Sequence, residues 1–352
     1  MRFALPITVA AREPLDTFRI TLQNYHKLNH PWKAVEALSR PEIAHPPMME
    51  KDPKLILAEN CLSKLTEEPF ASVHYAALLQ RKHLLPTEPF GDSKIGLFED
   101  GEISYKHAAL HWAEYTTAIN DPPSSFLLKL SGFILSVAAV TWSEELVDIK
   151  GGSEATTINV QIDVRTQLTD WAYSLPPPKR TKIPLSEFFV TAHEKLRHKL
   201  TEDGDDSLLA YLPAVRLGQF YSIGGKSDDD FRKAYVYKKI VVDGYTKILG
   251  KRSPLTLKAR TTWANEFFSR QCIAEAETEL LEIASIQKEV SGEGSLPYLE
   301  ALQLLGSAQY CLTKFGNAFI SLKESGRGLF RLLGNENWAY QVNDLYMGIG
   351  PQ

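Results

Sequence analysis

Gly224-Gly225-Lys226-Ser227 brings together glycines, a lysine and a hydroxyl, the residue types that cradle a phosphate. A phosphate loop needs a further glycine five residues before the last one, so that backbone amides can curl around the anion. That position is Phe220, so the stretch reads as a solvated turn, and the chain is expected neither to bind nor to hydrolyse nucleotide. His193-Glu194-Lys195-Leu196-Arg197-His198 carries the ingredients of a zinc helix. Ligation from one helix face needs histidines four apart; five residues place them about 140° apart around the axis. A charged surface helix is the expectation there. Cys61, Cys272 and Cys311 lie far apart in the chain and read as reduced thiols used as small apolar residues, the latter two inside helices. No serine–histidine–aspartate arrangement can be assembled from sequence, and no metal or cofactor is implied.

Carboxylates cluster at Asp203-Gly204-Asp205-Asp206 and Asp228-Asp229-Asp230. An all-helical chain of this size could hold magnesium with such groups, as a class I terpene cyclase does. That signature is aspartate-aspartate-x-x-aspartate, whereas Asp228-Asp229 is followed at that spacing by Arg232. The second metal motif needs asparagine, then serine and glutamate at +4 and +8. Asn120 gives Ser124 and then Leu128, and Asn343 gives Met347 in place of serine. Both acidic runs read as helix caps and loop charge, since carboxylates favour helix N-termini. An unusual all-α enzyme with its active site in a helical cavity stays as the alternative reading.

The elements that must position any site are set by a repeat. Ala234, Ala276 and Ala318 are spaced by 42 residues, as are Phe231, Ile273 and Phe315, and Gly250, Gly292 and Gly334. Self-similarity at this period signals units that bury their apolar faces against neighbours. Within one unit, Trp263-Ala264 and Phe267-Phe268 mark a first helix, and Ile273, Ala276, Leu280 and Ile283 follow helical spacing on a second. The small residue lets the two helices approach closely. The glycine ends the second helix, because it enters the left-handed conformation without a Cβ penalty. Ser253-Pro254 then offers a cap and a first-turn proline for the next unit.

This pattern resembles tetratricopeptide repeats of the kinesin-light-chain type over residues 205–350. The matching residues are Trp263-Ala264, Ile273-x-x-Ala276 and Ser291-Gly292, then Leu305-Gly306, Phe315-x-x-Ala318 and Leu333-Gly334. A looser unit supplies Leu217-Gly218, Phe231-x-x-Ala234 and Leu249-Gly250-x-x-Ser253-Pro254, with extra residues in its turn. The resemblance implies about three helical hairpins, with Asn335 to Met347 as a capping helix. It further implies a protein-interaction adaptor or sensor whose first helices line a concave, peptide-binding face. Carried over residue by residue, the polar positions on those helices are Arg260, Asn265 and Arg270, then Gln303, Ser307 and Gln309. Arginines suit peptide carboxylates and amides suit an extended backbone, so the implied ligand is an acidic or C-terminal peptide.

Ahead of the repeat, Pro53 to Leu65 reads as an amphipathic helix capped by Asp52, and Ile103 to Ile119, Ser124 to Val147 and Val160 to Tyr173 read likewise. Residues 30–52 and 86–102 read as proline- and glycine-rich connections. Pro176-Pro177-Pro178-Lys179-Arg180 reads as a stiff spacer before the repeats. The expected organisation is therefore all-α: a helical bundle over residues 1–180, then the solenoid over 205–350. Ala58-Glu59-Asn60-Cys61-Leu62-Ser63-Lys64-Leu65, Tyr105 to Trp112, and Phe126 to Trp142 follow one another in an order that resembles the helical region behind the NACHT module of fungal signal-transducing ATPases. Such a region links a nucleotide switch to a repeat sensor, and no ATPase accompanies it in this sequence.

At 352 residues the chain suits about two domains. Its 44% hydrophobic and 23% charged content is that of a globular protein, and a net charge of −4 offers no basic stripe for nucleic acid. The most apolar stretch, Phe126 to Trp142, holds Lys129, Ser131 and Ser136, which suits a buried helix better than a membrane span. The N-terminus meets Arg12 and Glu13 too soon for a secretory signal. A cytoplasmic protein with a protein or peptide partner is the expectation.

Overall fold

The computed structural model describes residues 52–85, 101–150, 154–202, 207–225 and 227–334, all within one compact unit spanning Lys51–Gln352. The fold is all-α, and no strand occurs among the described residues. Of the expected connections, 30–52 and 86–102, all but Asp52, Gly101 and Glu102 lie outside them, as does the expected capping helix; Gly101 and Glu102 already belong to a helix.

Helix α1 (Pro53–Leu65) starts as its sequence dictates. The Asp52 carboxylate accepts the Lys54 amide at 3.0 Å and Pro53 occupies the first turn, where no amide is needed. Its apolar face, Leu55, Ala58, Cys61, Leu62 and Leu65, is buried and packs chiefly against α3 (Gly101–Thr117). Helix α2 (Val73–Leu84) lies against a later helix, Val137–Lys150.

The apolar stretch expected as one helix is two, α4 (Ser124–Ile134) and α5 (Val137–Lys150), bent by 68°. Ser136 causes the break: both its amide and its hydroxyl bond the Phe133 carbonyl, at 2.9 and 2.8 Å, in place of a continuing helical ladder. The bend aims Phe133 and Trp142 at the same ring, Trp112, with centroids 5.0 and 5.3 Å away and edge-on geometry. Trp142 and, on α6 (Glu154–Ser174), Trp171 each donate Nε1–H to a carbonyl at 2.9 Å, of Ala109 and Ile119. Phe126, Leu127, Leu130, Phe133 and Ile134 are all buried. Among the described residues no single helix is long and apolar enough to cross a membrane.

The triple proline departs from a free spacer. Pro177 opens a one-turn helix, α7 (Pro177–Arg180), that lies on the bundle: Lys179 bonds the Pro122 carbonyl at 2.8 Å and pairs with Asp121, and Arg180 covers the Tyr173 ring at 5.1 Å. The bundle core continues past it into α8 (Val190–Glu202) through Ala192, Leu196 and Leu200. Phe188 and Phe189 precede α8, and Phe189 adopts φ 74°, rare for a bulky residue. The kink sends adjacent aromatics into different cores. Phe188 joins the bundle beside Trp142, while Phe189 joins Leu217, Phe220 and Ala234 of the following hairpin.

Three helical hairpins follow: α9 (Leu212–Gly224) with α10 (Asp228–Leu249), α11 (Pro254–Ser269) with α12 (Ile273–Ser291), and α13 (Leu296–Cys311) with α14 (Phe315–Leu333). Their first helices begin 42 residues apart, at 212, 254 and 296. Gly250, Gly292 and Gly334 end the second helices at φ 81°, 91° and 81°, as the repeat requires. The hairpin turns also recur: Gln271 and Thr313 are left-handed, and the amides of Cys272 and Lys314 bond the carbonyls of Phe267 and Gln309, both at 2.9 Å. The first hairpin differs. Gly218 faces Lys238 as Gly306 faces Leu322, yet the glycines are 88 apart and their partners 84. The excess of four residues is about one helical turn, and a capping box between Ser227 and Asp230 restarts α10 there.

Ala234, Ala276 and Ala318 are all buried. Ala276→Leu or Ala318→Leu should therefore overpack a helix contact and cost about 1–3 kcal/mol, with loss spreading to the adjoining hairpin. An unchanged urea midpoint for either variant would show that the register is misplaced.

Candidate functional site

The polar positions taken from the first helices divide in two. Arg260 and Gln309 turn into their own hairpins. Arg260 is buried, its guanidinium 2.6 Å from Glu279 and 2.8 Å from Glu282 of α12. Gln309 is buried and accepts the Ser321 hydroxyl of α14 at 2.9 Å. The 42-residue register explains both: the counterpart of Arg260 is Leu302 and that of Gln309 is Phe267, each a core residue. Replacing Arg260 should therefore loosen the α11–α12 pair before it affects any ligand.

Asn265 and Ser307 share one register position and are half-buried, as is Gln303, whose carbonyl accepts the Ser307 hydroxyl at 3.0 Å. Arg270 is exposed at the C-terminal cap of α11, its guanidinium 4.4 Å from the centre of the Tyr235 ring. The first helices α11 and α13 touch directly, whereas α12 and α14 have no contact of similar extent. Asn265, Gln303 and Ser307 thus stand on neighbouring helices.

At the bundle end of this row lies a cavity of about 110 Å³. Leu84 and Leu85 of the bundle, Val215 of α9, and Leu255, Lys258 and Thr262 of α11 line it. Leu84 and Leu85 pack with Leu212 here, joining the bundle to the array. Lys238 also lines the cavity, but its ammonium is spent on the buried Glu266 carboxylate, which accepts the Ser222 hydroxyl at 2.7 Å as well. Lys258 is exposed, and Glu300 stands one period further on. Burial lifts the Glu300 carboxyl above its ordinary pKa, against the opposing pull of Lys258. Sequence reasoning missed this cavity because Leu84 of α2, 131 residues upstream of Val215, supplies part of its wall.

The residues weighed for catalysis are placed differently. His193 is buried, not on a charged surface; its Nδ1–H donates to the Phe189 carbonyl at 2.8 Å, and burial pushes its pKa down to about 4. His198 is exposed and pairs with Glu202 at 2.9 Å. Asp228, Asp229 and Asp230 form the first turn of α10, as expected of capping carboxylates. Lys226 and Asp203 to Asp206 lie outside the described residues. No group of three His, Cys, Asp or Glu among the described residues could hold a metal ion. Cys61 is buried, which pushes its thiol up to about 11. Cys272 caps α12 and Cys311 closes α13, so both stand at helix ends and not in helix interiors.

No protein-family model matches the sequence, and no curated protein matches it. A solved structure of BtubC (BKLC) from P. vanneervenii aligns over 65% of this chain and 83% of its own, at a TM-score of 0.40 and 12% identity. A likeness of that extent carries no argument about function.

Proposed function

We propose that the chain is a protein-interaction adaptor whose tetratricopeptide-like hairpins bind an extended peptide along their first helices. The contact of α11 with α13, the two helices that carry Asn265, Gln303 and Ser307, supports this reading. Side-chain amides can satisfy both the donor and the acceptor of a peptide backbone. The cavity beside Lys258 has room for one aliphatic side chain, and the Lys258 ammonium suits a carboxylate next to it. An acidic or C-terminal peptide fits those demands. The order of bundle and array also suits the sensor end of a signal-transducing ATPase, in which the array would read the partner.

Selection of peptides from a random library on the full chain tests the reading. Selected peptides should carry a carboxylate near an aliphatic residue and bind about tenfold more weakly to a chain carrying Lys258→Glu and Asn265→Ala, a loss of about 1.4 kcal/mol. Equal binding to both chains would refute it.

A further inference from the structure

The last described helix, α14, presents a second surface on the opposite element of its hairpin. Its inner face, Ala318, Ser321, Leu322, Ser325 and Leu329, is buried. Its outer face is not wholly polar, as a solvated face would be, but mixes apolar and basic side chains. Phe319, Ile320 and Leu332 are 49%, 64% and 51% exposed. They border an open groove of about 850 Å³ together with Lys323, Arg327 and Arg331. The three cations recur every four residues, which places them in one row along the helix. Neither Arg327 nor Arg331 has an ion pair among the described residues, while the neighbouring Glu324 is engaged by the Tyr298 hydroxyl at 2.8 Å. At the same register α12 carries Leu281, Ser285 and Glu289, so the basic row belongs to α14 and not to the repeat.

We infer that this face docks an acidic amphipathic helix of a partner protein. Exposed aromatic and aliphatic side chains grouped beside charge mark an interaction surface. A cationic row with a four-residue period is matched by carboxylates at the same period on another helix, because both rows then follow one face. Phe319 to Leu332 spans about 20 Å of helix, so the docked helix has about four turns. The surface is separate from the first-helix row and would let one chain hold two partners.

The probe is a synthetic helix of about four turns with leucines on one face and glutamates every fourth residue at its border, titrated against the full chain. Micromolar binding is expected, weakened about tenfold by Arg327→Glu with Arg331→Glu. The same variant should gain affinity for the probe with lysines in place of glutamates. Both substitutions are exposed, so an unchanged melting temperature establishes that the fold is intact. The inference fails if the acidic helix binds no better than its scrambled sequence, or if charge reversal leaves its affinity unchanged. It also fails if binding appears only after residues 335–352 are removed, which would assign the face to the chain's own C-terminal segment.

Discussion

Arg216→Met is expected to destabilise the protein by about 3–5 kcal/mol, among the largest effects available to one substitution. Arg216 of α9 and Glu144 of α5 are both fully buried, and the guanidinium meets the carboxylate through two bonds, of 2.7 and 2.6 Å. Its remaining nitrogen bonds Gln219 at 3.2 Å. Removing one partner leaves an uncompensated charge in the interior, whereas removing both leaves none. The double variant Glu144→Leu with Arg216→Met should therefore recover most of the loss. The pair joins the bundle to the first hairpin, so a single variant should also uncouple the two in unfolding. Urea denaturation of the four proteins completes the cycle. A cost below about 1 kcal/mol for Arg216→Met would mean that water reaches the pair.

The second large effect is a loss of stability in mild acid. His193 has a folded pKa of about 4, set by burial, while the unfolded chain takes up its proton near the ordinary value of about 6.5. Between those values the unfolded state binds a proton that the folded state refuses. Stability from this group is thus complete above the unfolded value and falls as pH drops toward 4, by up to about 3 kcal/mol. Burial lowers His83 in the same direction. The charged groups that face His193 are Glu144, Arg216 and Glu194, and Glu144 faces His83 as well. His193→Gln should flatten the profile between pH 7 and 5. An unaltered slope would place the titration elsewhere.

What could be read from sequence followed the kind of force involved. The 42-residue period gave the positions of Gly250, Gly292 and Gly334, because a left-handed residue is a local demand met by one residue type. It also gave the burial of Ala276 and Ala318, which depends on two helices in one hairpin. Facing was harder. The tetratricopeptide resemblance implies a ligand-facing role for Arg260 and Gln309, but each sits at a core phase with its polar atoms satisfied inside the hairpin. Comparison with Leu302 and Phe267 at the same register carried the needed signal. The bend at Ser136 comes from a local bond of its hydroxyl and amide to Phe133, which interrupts a hydrophobic period without changing it. The docking of Pro177 to Arg180 and the Leu84–Leu85 wall of the cavity depend on contacts distant in sequence, which periodicity does not encode.

Hydrogen exchange of the full chain with and without a selected peptide tests the binding surface most directly. Added protection is expected in the first helices, over 212–224, 254–269 and 296–311, with little change in the second helices. Protection confined to α10, α12 and α14, or spread evenly over bundle and array, would contradict it.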